Sequence, residues 1–282
     1  MFPTPIEKTS RTWQISYQAL LPLTLLMWLA PLLAVALFSV KPEVDFVSGG
    51  YWSMPSYFAG AENYGRVFFD SDMPRYLMNS VFITIPTVIG CIILSSMAGF
   101  ALGIYKFRSN IWVFFMFVAG NFVPFQILMV PVRDLTLDLG LYNTKTGLVL
   151  FHIAFQTGFC TLFMRNFIRA LPYPLIEAAR VEGVAEWRIF WFVVIPLMKP
   201  AIAALSVLIF TFIWNDYFWA VVLTQGVESQ PVTAGITSFN AQYRAAYHLM
   251  SAGSIVAALP PVLMFFLMQK HFIAGLTLGA VK

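Results

Sequence analysis

Residues 171–200, LPYPLIEAARVEGVAEWRIFWFVVIPLMKP, carry Glu177, Arg180, Glu182, Glu186, Arg188 and Lys199 between runs apolar enough for lipid. Pro174 stands where a first helical residue belongs and Gly183 where a helix stops, an asymmetry that predicts a helix between them. LIEAARVE is made of good helix formers and gives about two and a half turns. Leu175, Ala178, Ala179 and Glu182 follow the i, i+3, i+4, i+7 spacing, so one face offers two alanines for close approach. A helix this short is marginal alone in water, and docking into a partner supplies the missing burial. Downstream, residues 185–192 read as a second amphipathic helix with Trp187, Phe190 and Trp191 at a membrane interface. Spacing alone leaves open an interfacial helix that touches no partner.

The composition around this segment is that of a polytopic membrane protein. Of 282 residues, 59% are hydrophobic and 11% charged, outside the range of soluble domains. A helix needs about 20 apolar residues to cross roughly 30 Å of hydrocarbon. Six intervals qualify: 19–40, 77–104, 111–132, 146–164, 201 to about 223, and about 253–272. The first is expected as a retained span, since no small-residue cleavage pattern follows it. With the N-terminus inside, the inner segments hold 11 of the 17 Lys and Arg residues and the outer ones 6. The bias places both termini, and residues 171–200, in the cytoplasm. The outer segments are then about 41–75, 133–145 and 224–250, and the whole chain, 1–282, is expected as one transmembrane domain. The net charge of +4 is distributed through short loops as a topology signal, so no nucleic-acid partner is expected.

Within the spans, Pro86, Gly90, Gly120, Pro124, Gly147 and Pro196 interrupt the helical patterns. Each frees or weakens backbone pairing and is expected either to face protein or a cavity or to make a static kink. The loop 41–75, rich in Gly, Pro, Tyr and Trp, suits a layer along the membrane surface. Cys91 and Cys160 sit in apolar runs as packing residues. His152, His248 and His271 lack ligand spacing, so no metal is expected. No G-x-x-x-x-G-K-[ST] phosphate loop occurs, so energy from ATP would have to come through another chain.

Glu177, Ala178, Ala179, Gly183, Ile195 and Pro196 form the spacing EAA, three residues, G, eleven residues, I-P, which resembles the cytoplasmic loop of permease subunits in binding-protein-dependent ABC importers. Glu182 stands where that family usually has an aspartate, and Leu197 follows the proline where a leucine often precedes it; charge and turn are kept. WNDYFWAVVLT from Trp214 resembles a run in the fifth helix of carbohydrate permeases related to the maltose and glycerol-3-phosphate systems. The ending QKHFIAGLTLGAVK, with Gly275, Leu276, Thr277, Gly279, Ala280, Val281 and Lys282, resembles that of the second permease subunit in the same group.

The resemblance implies an all-α membrane protein with six transmembrane helices, the type I ABC importer permease fold, in a bacterial inner membrane. It implies a coupling helix carried by Glu177, Ala178, Ala179, Arg180, Glu182 and Gly183 and seated in an ATPase cleft. A second permease, two ATP-binding subunits and an extracytoplasmic solute-binding protein are the implied partners, with ATP and Mg bound by the ATPase subunits and no cofactor in this chain. The outer loop 224–250, with Gln230, Asn240 and Gln242, stands where family members insert a loop into the binding protein.

Asp216 is the acidic residue that falls inside an apolar interval, about 15 residues or roughly 23 Å along from Ala201. With Trp214, Asn215, Tyr217, Phe218 and Trp219 it combines aromatic faces and hydrogen-bonding groups, the mixture that binds sugars. An interfacial aromatic belt with a structurally paired Asp216 is the alternative. Asn121 and Gln126, with Gln156 and Thr157, are further path candidates that serve equally as glue between helices. Two other functions stay open on residues alone: an ion-coupled secondary transporter, which a single Asp216 fits poorly, and a non-transporting membrane scaffold or enzyme.

Overall fold

The computed structural model describes residues 10–237, 239 and 246–280, with side chains through 269. The side chains of the C-terminal motif, including Val281 and Lys282, lie outside the described residues, as do Asn240 and Gln242. The chain forms two compact units, one of residues 1–71 with 239–256 and one of residues 72–238 with 257–282.

In the first unit, α1 (Arg11–Ser39) begins before the expected 19–40 span and leads to two short helices, α2 (Glu43–Val47) and α3 (Gly60–Phe69). Nearly every side chain of α1 is exposed, although the helix is predominantly apolar from Ala19 on, as lipid contact requires. The following segment folds more tightly than a surface layer. Lys41 is buried, and its ammonium donates to the carbonyls of Gly50, Tyr51 and Ser53. Asn63 on α3 donates through its side-chain amide to the Ser39 and Lys41 carbonyls, 2.9 Å each, which ties α3 to the end of α1. Buried carbonyls that would otherwise be orphaned are thereby satisfied.

The second unit runs through α4 (Met73–Ile104), α5 (Asn110–Ala119), α6 (Met129–Asp138), α7 (Lys145–Arg169), α8 (Tyr173–Val181), α9 (Glu186–Ile189), α10 (Ile195–Leu197), α11 (Lys199–Trp214), α12 (Phe218–Leu223) and α13 (Val232–Gly235). Its last helix, α14 (Tyr247–Ala280), starts within the first unit and contains Pro260 and Pro261. Helices α4 and α7 form the main pair and run parallel: Asn79 meets Lys145 near their starts and Leu102 meets Arg165 near their ends. A Cβ at Gly99 would lie 2.9 Å from the Arg165 amide nitrogen, so glycine is what lets the two backbones approach.

Among the described residues four helices are long and apolar enough to cross a membrane, Arg11–Ser39, Met73–Ile104, Lys145–Arg169 and Tyr247–Gln269, and two bent pairs bring the number to six when each pair counts as one span. The expected third span is not one straight helix. Asn110–Phe122 and Phe125–Asp138 meet at 88°, because Pro124 drives Val123 out of the α region (ψ 120°) and itself stays extended (ψ 114°). The fifth span also departs from 201–223. It begins at Lys199, bent by 75° from Glu186–Leu197, and stops at Trp214 before α12 resumes at Phe218. Pro196 and Pro200 remove two amide donors around the bend, and a π-helical stretch, Phe190–Val194, precedes it, overlapping the end of the helix expected over 185–192.

Candidate functional site: the charged-loop helix and the broken span

The charged segment folds by its own local chemistry. Pro174 lies in the first turn of α8, where its missing amide costs nothing, and Gly183 takes φ +75°, a left-handed conformation favouring glycine. The Val184 amide donates to the Ala179 carbonyl (3.0 Å) and the Gly183 amide to that of Arg180 (2.9 Å), the paired bonds that close a helix on a left-handed residue. Val184 and Ala179 are also half-buried on the core, the apolar contact that accompanies such a stop.

Ile176 is the anchor of α8, 1% exposed within the main core. Its burial stabilises the docked helix by about 1.5–3 kcal/mol. Glu177, Ala178, Glu182 and Gly183 face outward, Ala179 and Arg180 are half-buried, and Val181 is 88% exposed. Of the expected face, Ala178 and Glu182 are therefore free, while Ala179 is turned partly inward. Glu177 makes no hydrogen bond or ion pair among the described residues.

Arg180 bridges the turn. Its Nε donates to Glu186 Oε1 (2.6 Å) and its Nη2 to Oε2 (3.1 Å), a two-point pairing. The Tyr105 hydroxyl, at the end of α4, donates to the same Oε2 at 2.6 Å, and Arg180 Nη1 donates to the Tyr173 hydroxyl at 3.4 Å. The hydrogen bond from Arg180 holds the Glu186 carboxyl below its usual range and keeps the guanidinium more firmly charged. Burial raises the Tyr105 hydroxyl, and the bond to Glu186 adds to that shift. Since both members of the pair are partly exposed, it contributes only about 0.5–1 kcal/mol. It spans the turn and ties the end of α8 to the start of α9. No local sequence pattern points to Tyr105.

The expected path residues divide. Asp216 lies in the gap between α11 and α12, where its carboxylate accepts from the amides of Ala220 (3.0 Å) and Trp219 (3.4 Å). The Asp216 carbonyl accepts from the Thr233 hydroxyl at 2.6 Å. His152 Nε2, buried in α7 without a hydrogen bond, lies 3.5 Å from Asp216 Oδ2; the sequence marked this histidine only as a residue without ligand spacing. Trp214 is buried, its indole donating to the Ala257 carbonyl at 2.9 Å, so its polar atom is already engaged. Asn215 is exposed and donates to Thr211. Phe218 meets Phe125 edge-on at 5.3 Å, which brings the two helix breaks together with the exposed Gln126 beside them. Asn121 is exposed and bonds back to the Phe117 carbonyl within its own helical segment. Among the described residues no three His, Cys, Asp or Glu side chains gather as a metal site.

A family model described as the binding-protein-dependent transport system inner membrane component matches residues 14–277. The arabinooligosaccharides transport system permease protein AraQ of Halalkalibacterium halodurans is 32% identical over 255 residues, covering 89% of this chain and 90% of that protein. The lactose transport system permease protein LacG of Rhizobium radiobacter is 31% identical, covering 88% and 92%. Among solved structures, a bacterial ABC transporter involved in the import of the acidic polysaccharide alginate superposes with a TM-score of 0.82 at 25% identity, covering 95% of this chain and 100% of the matched one.

Proposed function

Because this chain belongs to the family of binding-protein-dependent transport system inner membrane components, we propose that it is a permease subunit that passes a sugar or sugar derivative into the cytoplasm of a bacterium by ATP-driven alternating access. The observation that carries this reading is α8: a short helix, stopped on Gly183 and anchored by Ile176, whose outer side presents Glu177, Ala178, Val181 and Glu182 with none of the described residues folded over them. Seated in a cleft of an ATPase subunit, α8 transmits closure of the ATPase pair, and the Arg180–Glu186 bridge passes that movement to α9 and the fifth span. The relatives named for arabinooligosaccharides and lactose support the carbohydrate class.

The partners are a second permease, two ATP-binding subunits that hold ATP and Mg, and a solute-binding protein on the outer side. Both termini are cytoplasmic, and ATP hydrolysis belongs to the partner subunits. The substrate path runs past the adjoining breaks, with Asn215, Asp216, Phe218 and Gln126 nearest it and Trp214 and Asn121 supporting the helices beside it.

Co-purification and uptake test this directly. Wild-type chain is expected to retain the ATPase subunits and to support sugar uptake only with hydrolysable ATP, and Glu177→Lys is expected to lose both by at least about tenfold. Uptake that persists without the ATPase subunits, or Glu177→Lys with both properties intact, would refute the reading.

A further inference from the structure

The coupling role leaves one feature of the second unit unused, a cleft of about 670 Å³ formed by the end of α4, the connection to α5 and the end of α7. Lys106, Arg108, Arg165 and Arg169 line it, and no Asp or Glu among the described residues does. None of the four takes part in an ion pair among the described residues. Four like charges brought together without a counter-charge among the described residues repel one another, and they attract an anion to the cleft.

Arg165 is the best placed of the four to receive it. The residue is only 8% exposed, its Nε donates to the Leu102 carbonyl at 3.1 Å, and its guanidinium lies 3.9 Å from the centre of the Phe114 ring. Its terminal nitrogens have no hydrogen-bond partner among the described residues, although a guanidinium fork fixed in this way is set up for two-point binding of an oxyanion. Asn110 donates to the Leu102 and Tyr105 carbonyls, which holds the connection that carries Lys106 and Arg108 in place.

The surroundings select among oxyanions. Ile111 and Phe107 line the cleft and are exposed, and the neighbouring Trp112 on α5 is exposed as well. An occupant with a phosphate at one end and hydrocarbon at the other satisfies both the cations and these apolar side chains, whereas a free phosphate satisfies only the first. Basic pockets between helix ends on the cytoplasmic side are suited to such headgroups. We propose that the cleft binds the headgroup phosphate of an anionic phospholipid from the cytoplasmic leaflet, with Arg165 and Arg169 as its clamp and Lys106 and Arg108 drawing it in. Tyr173, in the first turn of α8, also lines the cleft and accepts a hydrogen bond from Arg180. Occupancy is therefore communicated to α8, a consequence that rests on the coupling role above; the binding itself does not.

The test uses the complete complex with its ATPase subunits, in nanodiscs of phosphatidylcholine with or without phosphatidylglycerol, and measures retained phosphatidylglycerol by native mass spectrometry. At about 1 kcal/mol, or roughly fivefold, per basic residue, Arg165→Gln with Arg169→Gln is expected to weaken retention roughly 25-fold. Lys106→Gln with Arg108→Gln, on a surface connection that tolerates change, is expected to do the same, and Arg188→Gln outside the cleft to leave retention unchanged. Equal retention by wild type and both double variants overturns the site. So does displacement of the lipid by inorganic phosphate at equal phosphate concentration, which would make the ligand a soluble anion, or exclusion of the lipid when the ATPase subunits bind. Weakened retention with ATPase stimulation unchanged upholds the lipid site and breaks only its link to α8.

Discussion

Two helices of the second unit stop for different physical reasons. At Gly183, α8 ends on contacts within a few residues: Val184 to Ala179, Gly183 to Arg180, and Arg180 across the turn to Glu186. At Trp214, α11 ends where local bonds to Thr211 and Ala220 are joined by contacts far away in sequence: the Trp214 indole to Ala257, the Asp216 carbonyl to Thr233, and the Asp216 carboxylate facing His152. A locally determined stop leaves the outer face of its helix unused, so that face is available to another chain. A stop determined at long range is part of the bundle, and its form changes when the bundle changes. The first design suits a lever and the second a junction within a moving span.

Removing the anchor of the local stop gives the largest expected effect. Ile176→Ala deletes a fully buried side chain and is expected to cost about 2–4 kcal/mol of α8 docking, with Ile176→Val nearer 1 kcal/mol. ATPase subunits retained on purification should fall in that order. If Ile176→Ala retained them fully, α8 would owe its place to the rest of the loop rather than to its anchor.

Gly183→Val comes next. A Cβ there meets nothing within 4 Å, so the substitution tests backbone strain alone. Holding a β-branched residue at φ +75° costs roughly 1–3 kcal/mol, and ATP-dependent uptake is expected to fall about tenfold, with Gly183→Asn affected much less. Equal activity of the two variants would show that the left-handed turn is dispensable.

The same contrast explains what the sequence made legible. Pro174, Gly183 and the i, i+3, i+4 pattern act over one or two turns, so α8 could be placed to within a residue or two from composition alone. Long apolar runs likewise announced α1, α4, α7 and α14, since length and hydropathy are properties of the run itself. The breaks were less visible. Pro124 was noted as an interruption, but an 88° turn requires two arms that find separate places to pack, and that information is spread over the unit. Asp216 was assigned to a continuous helix because nothing within its neighbourhood names Thr233 or His152 as partners. Arg165 was counted as a topology charge; only the fold shows it over Phe114 beside a cleft that no Asp or Glu among the described residues lines.

Asp216→Ala probes the distant stop. The substitution removes the acceptor of two α12 amides and is expected to cost about 1 kcal/mol of stability, read as a lower thermal midpoint of the purified complex. Asp216→Asn keeps an acceptor oxygen and should recover most of that loss. If the residue also lines the substrate path, both variants weaken sugar uptake affinity several-fold, and the asparagine does so while remaining stable. Recovery of stability and uptake together by asparagine would confine Asp216 to capping.

The smallest effect expected is on the Arg180–Glu186 bridge, and its pH dependence has a definite sign. In the folded loop the Glu186 carboxyl is held below its usual range, chiefly by the hydrogen bond from Arg180. A lowered folded value means that the stabilisation is fully present above the unfolded value of about 4.3 and is lost as pH falls through the folded one. Nothing should change between neutral pH and mildly acidic pH, and the loss should appear only at more acidic pH. Because Arg180 and Glu186 are both partly exposed, Glu186→Gln is expected to cost no more than about 0.5–1 kcal/mol and to flatten the acid limb of a thermal-stability profile. If α8 has the proposed coupling role, the variant should fall further in coupling, measured as sugar imported per ATP hydrolysed, than in stability, since the bridge spans the turn between α8 and α9. A coupling ratio equal to that of the wild type would leave the link between α8 and α9 to the Gly183 turn alone.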